Sequence, residues 1–149
     1  MPALEMMREK LKEILIQDEG MVLTPYLDSV GKLTIGVGRN ISDNGITEDE
    51  ALYILDNDIQ SVLRFCEVFF RSIWNDLSEA RKIVLASMVF NLGGTRIQSF
   101  KRMIQALYDK DYHQASAQML DSKWAKQVKG RAVRLARIMA SDNMDEGFH

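Results

Sequence analysis

Cysteine is nearly absent from this chain of 149 residues, which contains Cys66 alone. No internal disulfide is therefore possible, and the composition fits synthesis in a reducing cytoplasm. We expect Cys66 to be a small buried hydrophobic residue. Histidine is almost as scarce, since His113 and His149 lie far from any cluster of cysteines or carboxylates at ligand spacing. The sequence therefore predicts no metal site and no cofactor.

Long apolar segments are missing as well. The longest nearly apolar segment, residues 83–90, is far too short to span a bilayer, so we expect no stable insertion into a membrane. The first residues carry several acids and bases and lack the apolar core of a signal peptide. We therefore expect synthesis in the cytoplasm without a signal peptide.

A strong charge of one sign is also lacking, since the formal net charge at pH 7 is −2. No global basic field attracts the chain to nucleic acid, and we expect no nucleic-acid partner. The charges are uneven, however, because residues 43–58 hold acids without a base, whereas residues 121–137 hold six bases and one acid. We expect most of these side chains to lie on solvent-exposed faces of helices, but the basic segment also suits contact with an anionic polymer such as a bacterial cell wall.

The most informative stretch is residues 18–38, DEGMVLTPYLDSVGKLTIGVG. Glu19 ends a helical pattern over residues 3–18, and Gly20 is suited to cap that helix. Asp28 precedes a turn and an alternating strand at residues 32–37. We expect one face of this strand to pack on an apolar core through Leu33, Ile35 and Val37. The opposite face then carries Thr34, Gly36 and Gly38.

Glu19, Asp28 and Thr34 are therefore expected to converge on one cleft. Two carboxylates and a hydroxyl suit glycoside hydrolysis, in which one carboxyl protonates the leaving oxygen and another group positions the attacking water. Gly36 and Gly38 allow a ligand to approach the backbone closely. Similar sets are common as solvated turns and caps, so spacing alone leaves both interpretations open.

Helical periodicity dominates the remaining chain. Residues 39–46 are predicted to form a loop, and Thr47 with Glu50 is typical of a capping box that begins a long helix. Further helices are predicted at residues 78–90, 97–108, 111–121 and 131–140. The last residues, 141–149, are polar and expected to fray. A single strand pattern among many helices predicts an α+β fold that is mainly α.

Several segments of the chain resemble the phage-type lysozymes. These segments are residues 18–38 with the strand TIGVG, then ITEDEA, LSEARKIVLASMVFNLGGT, SFKRMI, SKWAKQ and GRAVRLARI. The spacing of Glu19, Asp28 and Thr34 matches the catalytic triad of that family without a gap. The resemblance covers most of the chain and implies hydrolysis of the β-1,4 bond between N-acetylmuramic acid and N-acetylglucosamine in bacterial peptidoglycan.

The resemblance also implies a role for each site residue. Glu19 is implied as the general acid of an inverting reaction, whose water Asp28 and Thr34 would position. A general acid must keep its proton near neutral pH, so we expect partial burial of Glu19. Arg131 is implied to pair with Glu19, and Asn91 to line the cleft. The predicted substrate-binding residues are Gly36, Gly38, Asn91 and Arg131.

The fold implied by the resemblance is a single lysozyme domain over residues 1–149 with two lobes. A small sheet lobe at about 19–50 and a connecting helix at about 47–66 would precede a helical lobe at about 67–141, which also includes the helix at 3–18. We expect a monomer that is made in the host cytoplasm. It would act on the cell wall after release, through a separate pore of the holin type.

The sequence departs from the family in three respects. The segment between TIGVGRN and ITEDEA is shorter, Arg39 stands where the family commonly has histidine, and the chain is slightly acidic. Two other functions stay open. One is a non-catalytic peptidoglycan-binding or phage structural protein of the same fold. The other is a helical nucleic-acid-binding domain that uses residues 123–137, which the acidic balance disfavours.

Overall fold

A small antiparallel sheet and a series of helices make up residues 2–147, which are the residues that this computed structural model describes. The chain divides into two units, the first ending at Tyr53 and the second beginning at Ile54. The predicted α+β class, mainly α with one small antiparallel sheet, is confirmed. Met1, Phe148 and His149 lie outside the described residues.

The strands lie in the first unit and follow the order β1-β2-β3 in the sheet. They are β1 (Val22–Leu27), β2 (Leu33–Gly36) and β3 (Arg39–Asn40). The helices are α1 (Pro2–Glu19), α2 (Ile41–Asn44), α3 (Glu48–Phe70), α4 (Ser72–Asp76), α5 (Glu79–Leu92), α6 (Gly94–Ile97), α7 (Lys101–Tyr108), α8 (Tyr112–Leu120), α9 (Lys123–Val128) and α10 (Gly130–Ser141), followed by a 3-10 helix (Met144–Gly147).

Glycine and a capping box fix the ends of two helices as predicted. The backbone N–H of Gly20 donates to the carbonyl of Ile16 at 2.9 Å, and its φ of +77° ends α1. At the start of α3, the N–H of Glu50 donates to Thr47 Oγ1 at 3.1 Å, while the N–H of Thr47 donates to Glu50 Oε1 at 2.9 Å. These reciprocal bonds satisfy two donors that a helix N-terminus otherwise leaves free.

The burial of the central strand differs from the expectation. Thr34 is 4% exposed and Leu33 is 39% exposed, so the prediction of an apolar core beneath Leu33 is wrong. The register explains the difference, because Tyr26 and Asn40 stand opposite Thr34 on the two neighbouring strands. Larger side chains thus flank the threonine on its own face. On the other face Leu33 is opposite Leu27, which is itself exposed.

Two segments are organised differently from the prediction. Residues 39–46, predicted as a loop, contain β3 and α2, and Asn40 caps α2 by accepting from the N–H of Asp43 at 3.0 Å. Residues 97–108 are divided, since α6 ends at Ile97 and α7 begins at Lys101. The Phe100 N–H donates to the Ile97 carbonyl at 3.1 Å, which makes a tight turn between them. Elements this short carry too little periodicity to be read from a sequence.

Aliphatic, aromatic and methionine side chains fill the core of the second unit. The largest fully buried ones are Phe70, Val84, Leu85, Met88, Ile97, Met103, Leu107, Met119, Ile138 and Met139. Cys66 is fully buried among them, as predicted. Burial, and to a smaller extent the neighbouring Glu67, raises the pKa of its thiol to about 12. The predicted frayed tail is partly ordered, because Met144 of the 3-10 helix packs against this core.

No helix among residues 2–147 combines the length and the apolar character that a membrane span requires.

Arg81 holds the C-terminal end of α10. Its Nε donates to the carbonyl of Met139 at 2.8 Å and its Nη2 donates to that of Ala140 at 3.3 Å. The guanidinium lies 3.8 Å from the centre of the Tyr112 ring, and the side chain is 15% exposed. Carbonyls in the last turn of a helix lack partners within the helix, and a cation there also meets the negative end of the helix dipole.

We expect Arg81→Lys to lower the free energy of unfolding by about 1–3 kcal/mol, because an ammonium group cannot bond two carbonyls while stacking on a ring. The exposed Arg64 of α3 offers the same substitution without these contacts. Arg64→Lys should change stability by less than about 0.5 kcal/mol. Urea denaturation of both variants measures the difference. Equal stabilities would contradict the proposed capping role.

Candidate active site

The carboxyl group of Glu19 lies against the backbone of Gly38. Glu19 is the last residue of α1. A Cβ placed on Gly38 would be 3.0 Å from Glu19 Oε2 and 3.2 Å from Glu19 Cδ. Gly38 also has a φ of +68°, which side chains disfavour. Glycine is therefore favoured at position 38 by its backbone conformation, and a side chain there would crowd the carboxyl group beside it.

Asp28 is held in the turn between β1 and β2. Its Oδ1 accepts from the N–H groups of Val30 at 3.0 Å and of Lys32 at 2.8 Å. Its own N–H donates to the Lys32 carbonyl at 2.9 Å. Among the described residues of the first unit, Oδ2 accepts no hydrogen bond. One carboxylate oxygen thus closes the turn, and the other is available to a ligand or to water.

The hydroxyl of Thr34 joins the same group of atoms. Thr34 Oγ1 donates to the Lys32 carbonyl at 2.9 Å, which is the carbonyl that also accepts from the Asp28 N–H. Because the hydroxyl hydrogen is used in this bond, the oxygen keeps its lone pairs for an incoming donor. The structure therefore brings Asp28 and Thr34 together through one shared acceptor.

The predicted burial of Glu19 is wrong for the described structure, in which this side chain is exposed. Its position at the very end of α1 explains this, since the chain turns away at Gly20 directly afterwards.

Asn91 and Arg131 belong to the second unit. Asn91 lies in α5, and its Oδ1 accepts from Trp124 Nε1 at 2.8 Å. Trp124 is 2% exposed and packs edge-on against Phe100, with ring centres 6.4 Å apart. Arg131 is half-buried near the start of α10 and has no carboxylate partner among residues 54–147. Its predicted pairing with Glu19 stays a prediction.

A groove of about 540 Å³ lies beside Trp124 in the second unit. Leu92, Phe100 and Trp124 contribute apolar surface to it. The cationic side chains along it are Arg96, Lys101, Arg102 and Lys123, and the acid is Asp121. The groove could not be predicted from the sequence, because its residues come from five separate helices and the loops between them. The excess of positive charge in residues 121–137 pointed to a basic surface in this part of the chain. That segment contributes only part of the groove lining.

Metal chemistry was not expected from the sequence. Among residues 2–147, no three His, Cys, Asp or Glu side chains lie close enough together to hold a metal ion. His149 lies outside the described residues.

Comparison with known families gives a match over most of the chain. The family described as phage lysozyme matches residues 16–138, a range that contains every predicted site residue. This chain belongs to the phage lysozyme family. The resemblance seen in the sequence is thereby confirmed.

Relatives of this chain include proteins named as lysozymes or endolysins and one named as a spike protein. The probable T4-type lysozyme 2 of Dictyostelium discoideum is 27% identical over 94% of this chain and 99% of its own length. The SAR-endolysin of Escherichia phage Mu is 28% identical over 92% of this chain and 84% of its own length. The pre-baseplate central spike protein Gp5 of Enterobacteria phage T4 is 28% identical over 91% of this chain, which spans 28% of that protein.

Membership of the phage lysozyme family, together with relatives named lysozyme and endolysin, supports a glycosidase that hydrolyses peptidoglycan.

The approach of Gly38 to Glu19 predicts an unequal effect of two alanine substitutions. Gly38→Ala should reduce wall-cleaving activity at least about tenfold, because its Cβ would displace the Glu19 carboxyl from its place. Gly93→Ala is the matched control. Gly93 also has a positive φ, of +85°, and a Cβ there meets nothing within 4 Å.

Both variants carry comparable backbone strain, so melting curves should shift by similar amounts. Clearing of a bacterial wall suspension, corrected for the folded fraction, measures the remaining difference. Equal activities would show that the Glu19 contact has no functional consequence.

Proposed function

We propose that this protein is an inverting muramidase that cleaves the β-1,4 bond between N-acetylmuramic acid and N-acetylglucosamine. Glu19 is the general acid, and Asp28 with Thr34 positions the attacking water. The observation that carries the proposal is the shared Lys32 carbonyl, which fixes Asp28 and Thr34 beside each other. Two carboxyl groups and a water-binding hydroxyl are the components that an inverting glycosidase uses.

The reaction needs one proton donor and one proton acceptor. Glu19 gives its proton to the glycosidic oxygen, and the bond from that oxygen to the anomeric carbon breaks with its electron pair on the oxygen. Water attacks the anomeric carbon from the opposite face and passes a proton to Asp28. Because the free Oδ2 of Asp28 is not used by the turn, it can accept this proton without breaking the bonds of Oδ1.

The side chain of Glu19 is exposed and open to a ligand. A polysaccharide chain laid over the Gly38 backbone would cover this carboxyl and exclude water from it. The predicted pairing with Arg131 would place a cation beside the same group.

The basic groove favours an anionic polymer as substrate. Arg96, Lys101, Arg102 and Lys123 outnumber its single acid. Asn91 accepts a hydrogen bond from Trp124, which lines this groove. Electrostatic attraction of this kind raises the rate of encounter with an oppositely charged polymer and weakens with salt.

A structural role is the second candidate function. It is favoured by the relative whose name describes a central spike protein and in which the matched segment is a minor part. In that case the chain would act as a wall-binding or assembly module. Activity on purified peptidoglycan decides between the two, since a non-catalytic module would bind the wall without clearing it. Delivery through a separate pore likewise stays a prediction.

Glu19→Gln should reduce wall cleavage by about 10²–10⁴-fold or more, because an amide cannot donate the proton. The fold should be retained, since Glu19 is exposed and glutamine has nearly the same shape. Glu13→Gln, also on the exposed surface of α1, is the control and should keep full activity. A turbidity assay with parallel melting curves tests both. Full activity of folded Glu19→Gln would overturn the assignment of the acid.

Asp28→Asn should lower activity by about 10²-fold or more while the turn stays intact. The amide oxygen can still accept from Val30 and Lys32, but it cannot take a proton from water. Asp111→Asn is the matched control, because Asp111 also accepts a backbone N–H, that of Gln114 at 3.0 Å. An equally small loss in both variants would assign Asp28 to the turn alone.

Thr34 tests whether the hydroxyl acts on water or only packs. Thr34→Ser keeps the hydroxyl and should retain activity within about tenfold, whereas Thr34→Val keeps the shape and should lose about 10²-fold. Stability should fall by about 1 kcal/mol in Thr34→Val, since the Lys32 carbonyl still has the Asp28 N–H as a partner. Steady-state kinetics and urea denaturation measure the two effects. Wild-type activity of Thr34→Val would make Thr34 a packing residue of the sheet.

A further inference from the structure

Arg39 forms a bidentate ion pair with Glu50. Its Nη2 lies 2.8 Å from Glu50 Oε2, and its Nη1 donates to Glu50 Oε1 at 2.9 Å. The same Nη1 donates to the carbonyl of Gly45 at 3.1 Å. Because Arg39 is the first residue of β3, this side chain ties the sheet to the segment before α3 and to the first turn of α3.

Glu50 is itself fixed at the start of α3 by its capping box with Thr47. The bond from Arg39, followed by those from Thr47, lowers the pKa of the Glu50 carboxyl to about 2. A group with a lowered pKa keeps its charge above that value and loses the pair only as pH falls through it. The pair therefore persists at any pH suitable for an assay, and substitution rather than pH must test it.

Stability alone explains this arrangement poorly. Both side chains are substantially exposed, at 40% for Arg39 and 39% for Glu50. Exposed ion pairs contribute little to the free energy of folding. A fork that engages two carboxylate oxygens and one backbone carbonyl does, however, restrict the position of Arg39 closely.

The residue that precedes Arg39 is Gly38, whose backbone lies against the Glu19 carboxyl. The turn from β2 to β3 contains Gly36 and Gly38, which both have positive φ values and no side chain that could anchor them. Arg39 is thus the first residue after Gly38 that is held by its side chain. A displacement of Arg39 reaches Gly38 through a single peptide unit.

We infer that the Arg39–Glu50 pair is a positioning device for the catalytic acid. It holds the Gly38 backbone against the Glu19 carboxyl and thereby sets the orientation of that group. The inference rests on the proposed role of Glu19. Arginine suits this role, because its fork of parallel donors can engage Glu50 and the Gly45 carbonyl together.

The test compares Arg39→Gln, Glu50→Gln and the double variant. Each single substitution should lower kcat by about 10-fold to 100-fold, as expected for a misplaced catalytic group. KM should stay within about twofold, because no contact with substrate is removed. Glutamine at position 50 preserves the capping box, so α3 should begin as before. The double variant should lose no more than either single one, since both remove the same pair.

Two further variants separate positioning from general effects. Arg39→Lys keeps the positive charge, so its kcat should lie between those of Arg39→Gln and the wild type. It also replaces Arg39→Gln in the comparison if that variant folds poorly. Lys12→Gln removes the exposed Lys12–Glu9 pair of α1, 3.1 Å long, and should leave kcat unchanged. Wild-type kcat in folded Arg39→Gln, losses that add in the double variant, or a change confined to KM would each overturn the inference.

Failure of the proposed function is recognised separately. Glu19→Gln is measured in the same assay. Full activity of this variant would refute the role of Glu19 as the general acid and would leave the effect of the Arg39–Glu50 pair on the Glu19 carboxyl as a separate question. The carbon-13 chemical shift of the Glu19 carboxyl then serves as a readout that needs no activity. It should change in Arg39→Gln and in Glu50→Gln and stay the same in Lys12→Gln. An unchanged shift in the first two variants would overturn the inference.

Discussion

The contact between the Glu19 carboxyl and the Gly38 backbone is the constraint on which the rest of the first unit depends. The helix ends at Glu19 because Gly20 adopts a positive φ, and the strand ends at Gly36 for the same reason. The turn that follows has no side chain at Gly38, so the Glu19 carboxyl can lie 3.0 Å from the position that a Cβ would take. A helix terminus and a strand terminus thereby meet at one exposed carboxyl group.

In the proposed mechanism, the hairpin between β1 and β2 would serve structure and chemistry with the same atoms. The Lys32 carbonyl closes the turn by accepting from the Asp28 N–H, and it also orients the Thr34 hydroxyl. Asp28 divides its two oxygens between these purposes, since Oδ1 satisfies backbone donors and Oδ2 faces none of them in the first unit. A carboxylate fixed by two backbone donors needs little reorganisation before it acts on a bound water.

Signals that are local in sequence predicted local structure well. Gly20 as a cap and Thr47 with Glu50 as a capping box depend on residues within four positions of each other, and both were predicted. Strand burial depends on the neighbouring strands, so alternation alone placed Leu33 and Thr34 on the wrong sides. Arg39 was noticed only as a departure from a family pattern, because its partner Glu50 is eleven positions away. Glu19, Asp28 and Thr34 were singled out chiefly through their family spacing, which no rule of folding requires.

The buried thiol of Cys66 in the second unit can report local unfolding. Cys66 is fully buried, and with a pKa near 12 it holds almost no thiolate at neutral pH. Alkylating reagents attack the thiolate, so native molecules should resist labelling. Modification then reports each opening of the surrounding helices, at a rate set by the opening equilibrium. The protein thus carries its own chemical probe of local unfolding, at one site and without an engineered substitution.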